Sequence, residues 1–224
     1  MPRSSDSETV RKLLGTHGRT YAQEAGIRLR DTPQPLYRTL VLALLLSARI
    51  RGGTAVAACR ALGDAGLRTP RRMADATWQE RVDALGRGGY RRYDERTAAQ
   101  LGDGARLLLH EYGGDLRRLR EAAGRDVGAL AAGVQKNPGI GPVGADIFLR
   151  EVQGIWPEAA PYLDDKALQG ARRLGLPDDP AALARLAGDT DPAVFASALV
   201  REALDRTGAL DPDDHNDHNP DDNP

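Results

Sequence analysis

The chain has 224 residues, of which 41% are hydrophobic, 28% charged and 4% aromatic, enough for one globular body or two small lobes. Its single cysteine, Cys59, excludes an internal disulfide framework and any four-cysteine zinc or iron–sulfur site. Net charge is −1, but residues 211–224 hold six Asp and no Lys or Arg, so residues 1–210 carry +5: a mildly basic body, suited to a polyanion, with an acidic tail.

In chain order, residues 1–7 read as frayed, and Glu8–Leu14 begins a helix with Asp6 or Ser7 as cap. Thr32-Pro33-Gln34-Pro35 is a rigid lead-in to Leu36–Ile50, whose apolar spacing marks the most buried helix. Thr54–Ala65 and a short helix near Arg71–Ala76 follow, then Trp78–Leu85, ending in Gly86-Arg87-Gly88-Gly89. Arg87, Arg91, Arg92, Arg96 and Arg106 interleave with Tyr90 and Tyr93 ahead of and within the helix Thr97–Tyr112. That pattern suits phosphate contact and base stacking, and equally a solvated face whose tyrosines anchor in the core. Leu116–Ala123 and Val127–Val134 are short helices with Asp115 and Asp126 at their cap positions.

Asn137-Pro138-Gly139-Ile140-Gly141-Pro142 concentrates turn-forming residues, and Val143, Ile147, Phe148 and Val152 then recur at helical spacing. Gly139 and Gly141 permit φ > 0 and bare amides, and Pro142 suits a first helical turn. Such a helix N-terminus attracts phosphate. Asp164 and Asp165 precede the helix Lys166–Leu174, where an aspartate is also an ordinary N-cap. Ala181–Ala187 and Ala193–Asp205 complete the body, and the tail 211–224 is too polar to order itself. His215 and His218 in it read as solvated residues rather than metal ligands. No stretch alternates with period two and β-branched residues are sparse, so an all-α fold is expected.

P-G-I-G-P-V-G-A-D at Pro138–Asp146 resembles the helix-hairpin-helix element of the base-excision DNA glycosylases of the endonuclease III superfamily, roughly L-P-G-V-G-x-K-x-A. L-D-D-K-A-L-Q-G-A-R-R-L-G at Leu163–Gly175 resembles the same family's V-D-T-H-I-x-R-V, which carries its catalytic aspartate. Gly89-Tyr90-Arg91-Arg92-Tyr93 is similar to the family's G-x-Y-x-x-K-A, and Leu46-Ser47-Ala48-Arg49 stands where the family reads L-S-A-Q. The resemblance covers about Leu36–Leu176. It implies a two-lobed helical body: a six-helix-type lobe over about 36–135, a hairpin and aspartate segment over 136–176, and a second lobe from 1–35 with 177–210. DNA would lie in the cleft between the lobes.

The resemblance further implies excision of a damaged or mismatched base from double-stranded DNA, with Asp164 as the catalytic carboxylate; Asp165 takes that place only if the register slips by one. Pro138, Gly139, Ile140, Gly141, Val143 and Gly144 form the DNA-binding hairpin, joined by Arg49 at the gap left by the base and by Arg91 and Arg92 on phosphate. Without the family frame, Arg49 reads as a solvated residue favouring a helix C-terminus. Trp156 and Tyr162 either line the base pocket or pack in the core. The family's lyase lysine is matched by Val143, so strand cleavage through a Schiff base is not expected, and Lys166 reads as an exposed first-turn residue. No cofactor is expected: there is no four-cysteine cluster, and only a K+ or Na+ ion on the hairpin carbonyls is implied. The longest apolar run, Leu40–Leu46, is too short to span a bilayer and MPRSSDSETVRK lacks an export core, so a cytoplasmic protein is expected, nucleoid-associated if bacterial; a monomer is expected as well. Two other readings remain open: a non-catalytic helix-hairpin-helix DNA-binding module, and a helical protein using its glycine turn as a connector.

Overall fold

Short polar side chains set most of the helix boundaries, because each helix leaves its first amides without carbonyl partners. In this computed structural model, which describes residues 4–205, Thr20, Thr69, Thr77, Asp115, Asp126, Asp164 and Asp179 each accept a hydrogen bond from an amide two or three residues ahead. Such caps contribute about 1 kcal/mol each. The helices are α1 Ser4–His17, α2 Tyr21–Glu24, α3 Pro33–Leu46, α4 Gly52–Asp64, α5 Pro70–Asp75, α6 Trp78–Arg87 and α7 Asp94–Tyr112. They continue with α8 Leu116–Ala122, α9 Val127–Gln135, α10 Pro142–Val152, a 3-10 turn Pro157–Ala159, α11 Asp165–Arg173, α12 Pro180–Ala187 and α13 Pro192–Asp205. The fold is all-α, with no strand among the described residues, and none of these helices is long and apolar enough to cross a membrane. The tail expected at 211–224 lies outside the described residues.

Several helix ends differ from the sequence reading, and one short helix goes unread by it. Helix α1 reaches back to Ser4, so Asp6 lies within its first turn instead of ahead of it. The apolar pattern starts only at Val10 and is blind to a polar turn that needs no packing partner. Helix α3 stops at Leu46, not Ile50, where Ser47 turns its hydroxyl onto the Leu44 carbonyl at 2.7 Å. Arg49 therefore projects from a bend following the helix. The four-residue α2 has no apolar period to betray it.

Helix α3 is deeply buried, with Leu36, Leu42 and Leu45 wholly inaccessible, and α10 is buried over a larger share of its length. Around α3, α4, α5, α6, α7 and α8 form one packed group, with α6 and α5 against α7 and α4 against α6. Helices α1, α11 and α12 pack on α13 as a second group, and Gly170 brings α11 so close to α13 that a Cβ would stand 1.9 Å from the Leu199 carbonyl oxygen. Helix α10 touches α3 and α9 on one side and α13 on the other. Trp156, just beyond its end, is fully buried: its ring meets Phe148 edge-on at 5.8 Å, lies 5.1 Å from the Arg120 guanidinium and donates to Asp31 at 2.9 Å. It belongs to the core, as an aromatic with one polar edge readily does. Cys59 is buried too, and burial pushes its thiol up to about 12, which leaves it inert as nucleophile or ligand.

Glu151 on α10 is the least expected core residue. Its carboxylate accepts the amides of Tyr21 at 3.2 Å and Ala22 at 3.0 Å and the Ser197 hydroxyl at 3.4 Å, joining α2, α10 and α13. Complete burial raises its pKa above the ordinary carboxylate range. The folded state thus holds a proton that the unfolded chain releases. The matching stability is complete below the unfolded pKa and is lost as pH rises through the folded one. Glu151→Gln cannot ionise, so its Tm relative to the unsubstituted protein is expected to improve steadily from about pH 4 toward neutrality. Thermal melts at stepped pH check this; parallel curves for the two proteins would refute it.

Candidate nucleic-acid interface and acidic site

The hairpin between α9 and α10 is set by one glycine. Gly139 has φ +86°, and a Cβ there would stand 2.6 Å from Gln100 and 2.7 Å from Leu44. Gly141, by contrast, has φ −94° and open space around it, so no conformational demand explains it. It is a bare N-cap that leaves the head of α10 without a side-chain lid, followed by Pro142, which has no N–H to satisfy. The Ile140 amide donates to the Asn137 carbonyl at 3.0 Å, and Ala145 closes the first helical bond onto Gly141 at 3.0 Å. Ile140 and Gly144 are buried and Pro138 is half-buried, so these three fasten the turn to the body. The exposed surface of the turn is Gly139 and Gly141–Val143, with Val143 61% exposed.

Val143, Asp146 and Arg150 stand at i, i+3 and i+7 on α10 and so share one face, about 10 Å from first to last along the axis. The stretch before α11 docks on that face. Gln153 accepts the Tyr162 amide at 2.7 Å and donates to the Tyr162 carbonyl at 3.1 Å. The Tyr162 hydroxyl donates to Asp146 Oδ1 at 2.6 Å. Asp164 caps α11, its Oδ1 accepting the Ala167 amide at 3.0 Å, while its Oδ2 accepts the guanidinium of Arg150. The two side chains of this ion pair are 6% and 11% exposed, Arg150 the lower. Burial, followed by the neighbouring Asp146 carboxylate, raises the Tyr162 phenol far above its ordinary value and keeps it a hydrogen-bond donor. Asp165 and Lys166 are exposed, Lys166 donating to Gln169 at 2.8 Å, and neither is turned to α10.

Sequence reasoning missed Asp146 and Arg150. The signal was present, since they are charged residues at i and i+4 on a largely apolar helix, but their partners lie on another element.

Arg49 opens onto a cleft of about 310 Å³ shared with Ser47, Tyr93, Arg96, Gln100 and Gly139, so the bend after α3 and the hairpin line the same hollow. The five arginines of the basic stretch do not act together. Arg96 lines this cleft, Arg91 and Arg92 are exposed, Arg106 pairs with Asp103 at 2.6 Å, and Arg87 lines a separate groove with Arg72, Asp75, Glu80 and Asp83. Tyr90 is core, its hydroxyl 3.2 Å from Thr97; Tyr93 is half-buried, with the Arg92 guanidinium 5.4 Å from its ring centre.

The two hairpin glycines are expected to behave oppositely on substitution. Gly139→Ala combines a left-handed backbone with overpacking and should lose at least about 2 kcal/mol. Gly141→Ala should lose no more than about 1 kcal/mol, the difference between those residues as caps. Urea denaturation of the two variants measures the gap, and equal losses would contradict this geometry.

No protein-family model matches the chain, and no curated protein matches it by sequence. Among solved structures it is similar to endonuclease III trapped as a covalent intermediate with DNA, an estranged-adenine complex. That similarity has a TM-score of 0.51 at 17% identity, over 86% of this chain and 82% of the other. The chain therefore has an all-α fold like that of endonuclease III, and what it does with that fold has to be argued from its own residues.

Proposed function

We propose that the chain is a monofunctional DNA glycosylase that hydrolyses the N-glycosidic bond of a damaged or mismatched base in double-stranded DNA. The observation that carries this reading is the docking of Asp164 on the helix that begins in the hairpin. A strand held at Gly141–Val143 runs along the same face of α10 on which Asp164 docks through Arg150. The amides at the head of α10 hold a phosphate, and such contacts position DNA without reading its sequence. Arg49 and Arg96, sharing one hollow with the hairpin, occupy the gap that an extruded base leaves. Arg91 and Arg92 add exposed positive charge along the duplex.

Asp164 supplies fixed negative charge to a sugar that gains oxocarbenium character as the base departs. Val143 offers no amine, so the sugar is not captured as a Schiff base and the strand stays intact after excision. A K+ or Na+ ion on the turn carbonyls would stiffen the hairpin; one buried cysteine cannot hold an iron–sulfur cluster. The protein acts as a monomer, in the cytoplasm with the nucleoid.

One observation favours a second reading. The Arg150 guanidinium neutralises Asp164, and a neutralised carboxylate is a weaker partner for a cationic transition state. On that reading the chain binds DNA through the hairpin without hydrolysing it.

Incubation with duplexes that each carry one lesion separates the two readings. A glycosylase gives strand breaks only after alkali, and Asp164→Asn lowers excision by roughly 100-fold or more while duplex affinity stays within about 3-fold. Binding that falls with salt, is weakened by Gly141→Asp and is accompanied by no excision of any lesion would establish the second reading instead.

A further inference from the structure

Hydrolysis needs a group that takes a proton from the attacking water, and Asp164 is poorly placed to do it. Both of its oxygens are occupied, one by the Ala167 amide and one by the guanidinium of Arg150.

Asp146 differs in each respect. It lies one turn into α10, on the face between the exposed Val143 and the Arg150–Asp164 pair. It is half-buried, and its side chain makes one hydrogen bond, from the neutral Tyr162 hydroxyl to Oδ1; no cation pairs with it among the described residues. Oδ2 is left to accept. Arg150 stands one turn further along α10, and Asp146, Asp164 and Arg150 all act on the Tyr162 phenol.

We propose that Asp146 is the general base of the hydrolysis argued above, on which this assignment rests, and that Tyr162 is its positioning residue. As the C1′–N bond breaks, its electron pair leaves with the base. The water oxygen bonds to C1′, and the water proton passes to Asp146 Oδ2. The departed base then takes a proton from solvent, and Asp146 returns its own to solvent. Tyr162 remains protonated throughout and holds Oδ1 in place. Asp164, fixed by Arg150, contributes charge and not proton transfer. Two carboxylates thus divide the work, as their unlike partners dictate.

The test is single-turnover excision from whichever lesion duplex the protein processes, followed from about pH 5 to about pH 9. Asp146→Asn keeps an acceptor for Tyr162 yet cannot take a proton. It should slow excision roughly 100-fold and abolish the acid limb of the profile, with affinity for an abasic duplex held within about 3-fold. Tyr162→Phe should stay active and keep the acid limb, with a lowered plateau, since Oδ1 is no longer held in place. Asp164→Asn should lower the plateau and keep the limb. The assignment is overturned if Asp146→Asn excises at the unsubstituted rate, or if the limb vanishes in Asp164→Asn instead, which would return the proton to Asp164 and leave the hydrolytic reading standing. If the unsubstituted protein excises no lesion at all, the hydrolytic reading falls and the Asp146 assignment falls with it.

Discussion

The arrangement depends on the docking of residues 162–164 against α10. Arg150 is almost wholly removed from water, and a guanidinium in that position is tolerable only with a carboxylate beside it. Removing one member of such a pair strands the other, a loss on the order of 3–5 kcal/mol. The need to match that charge, together with the Gln153 amide on the Tyr162 backbone and the Tyr162 hydroxyl on Asp146, fixes the path of the chain into α11. Asp164 then finds itself at a helix cap, a position that holds its side chain in one orientation.

Helix α10 is the member that relates everything else. Its first turn is the hairpin, its middle carries Asp146 and Arg150, and its last turn buries Glu151 and leads to Trp156. Because it packs on α3 and α9 on one side and α13 on the other, a displacement of the hairpin shifts the acidic site as well. Gly139 is where this arrangement tolerates least change, pressed between Gln100 of α7 and Leu44 of α3. Rigidity of that kind is what a site needs when it must hold a strand and present a carboxylate to one sugar.

The polar groups along α10 show how environment assigns roles to like residues. Glu151 is sealed in and held by backbone amides. Asp146 keeps a half-open position with a phenol for company, and Asp164 is matched by a guanidinium. Three carboxylates within one small region therefore differ in what they can do, although nothing in their covalent chemistry distinguishes them.

What the sequence determined by itself was local. The helical period, the turn residues of 137–142, the caps at Asp115, Asp126 and Asp164, and the absence of a cysteine framework all rest on interactions within a few residues, which composition and spacing record directly. It also marked the glycine turn ahead of α10 and the aspartate ahead of α11, which the structure shows as a left-handed Gly139 and an N-capping Asp164. The tertiary structure alone decided which polar residues meet. Arg150 with Asp164, Asp146 with Tyr162, Glu151 with Tyr21 and Ala22, and Trp156 with Asp31 are joined across gaps of 14, 16, 130, 129 and 125 positions respectively. Pairing over such separations follows from how helices pack, and helix packing is set by the summed burial of many apolar side chains, a quantity that no single stretch of sequence contains.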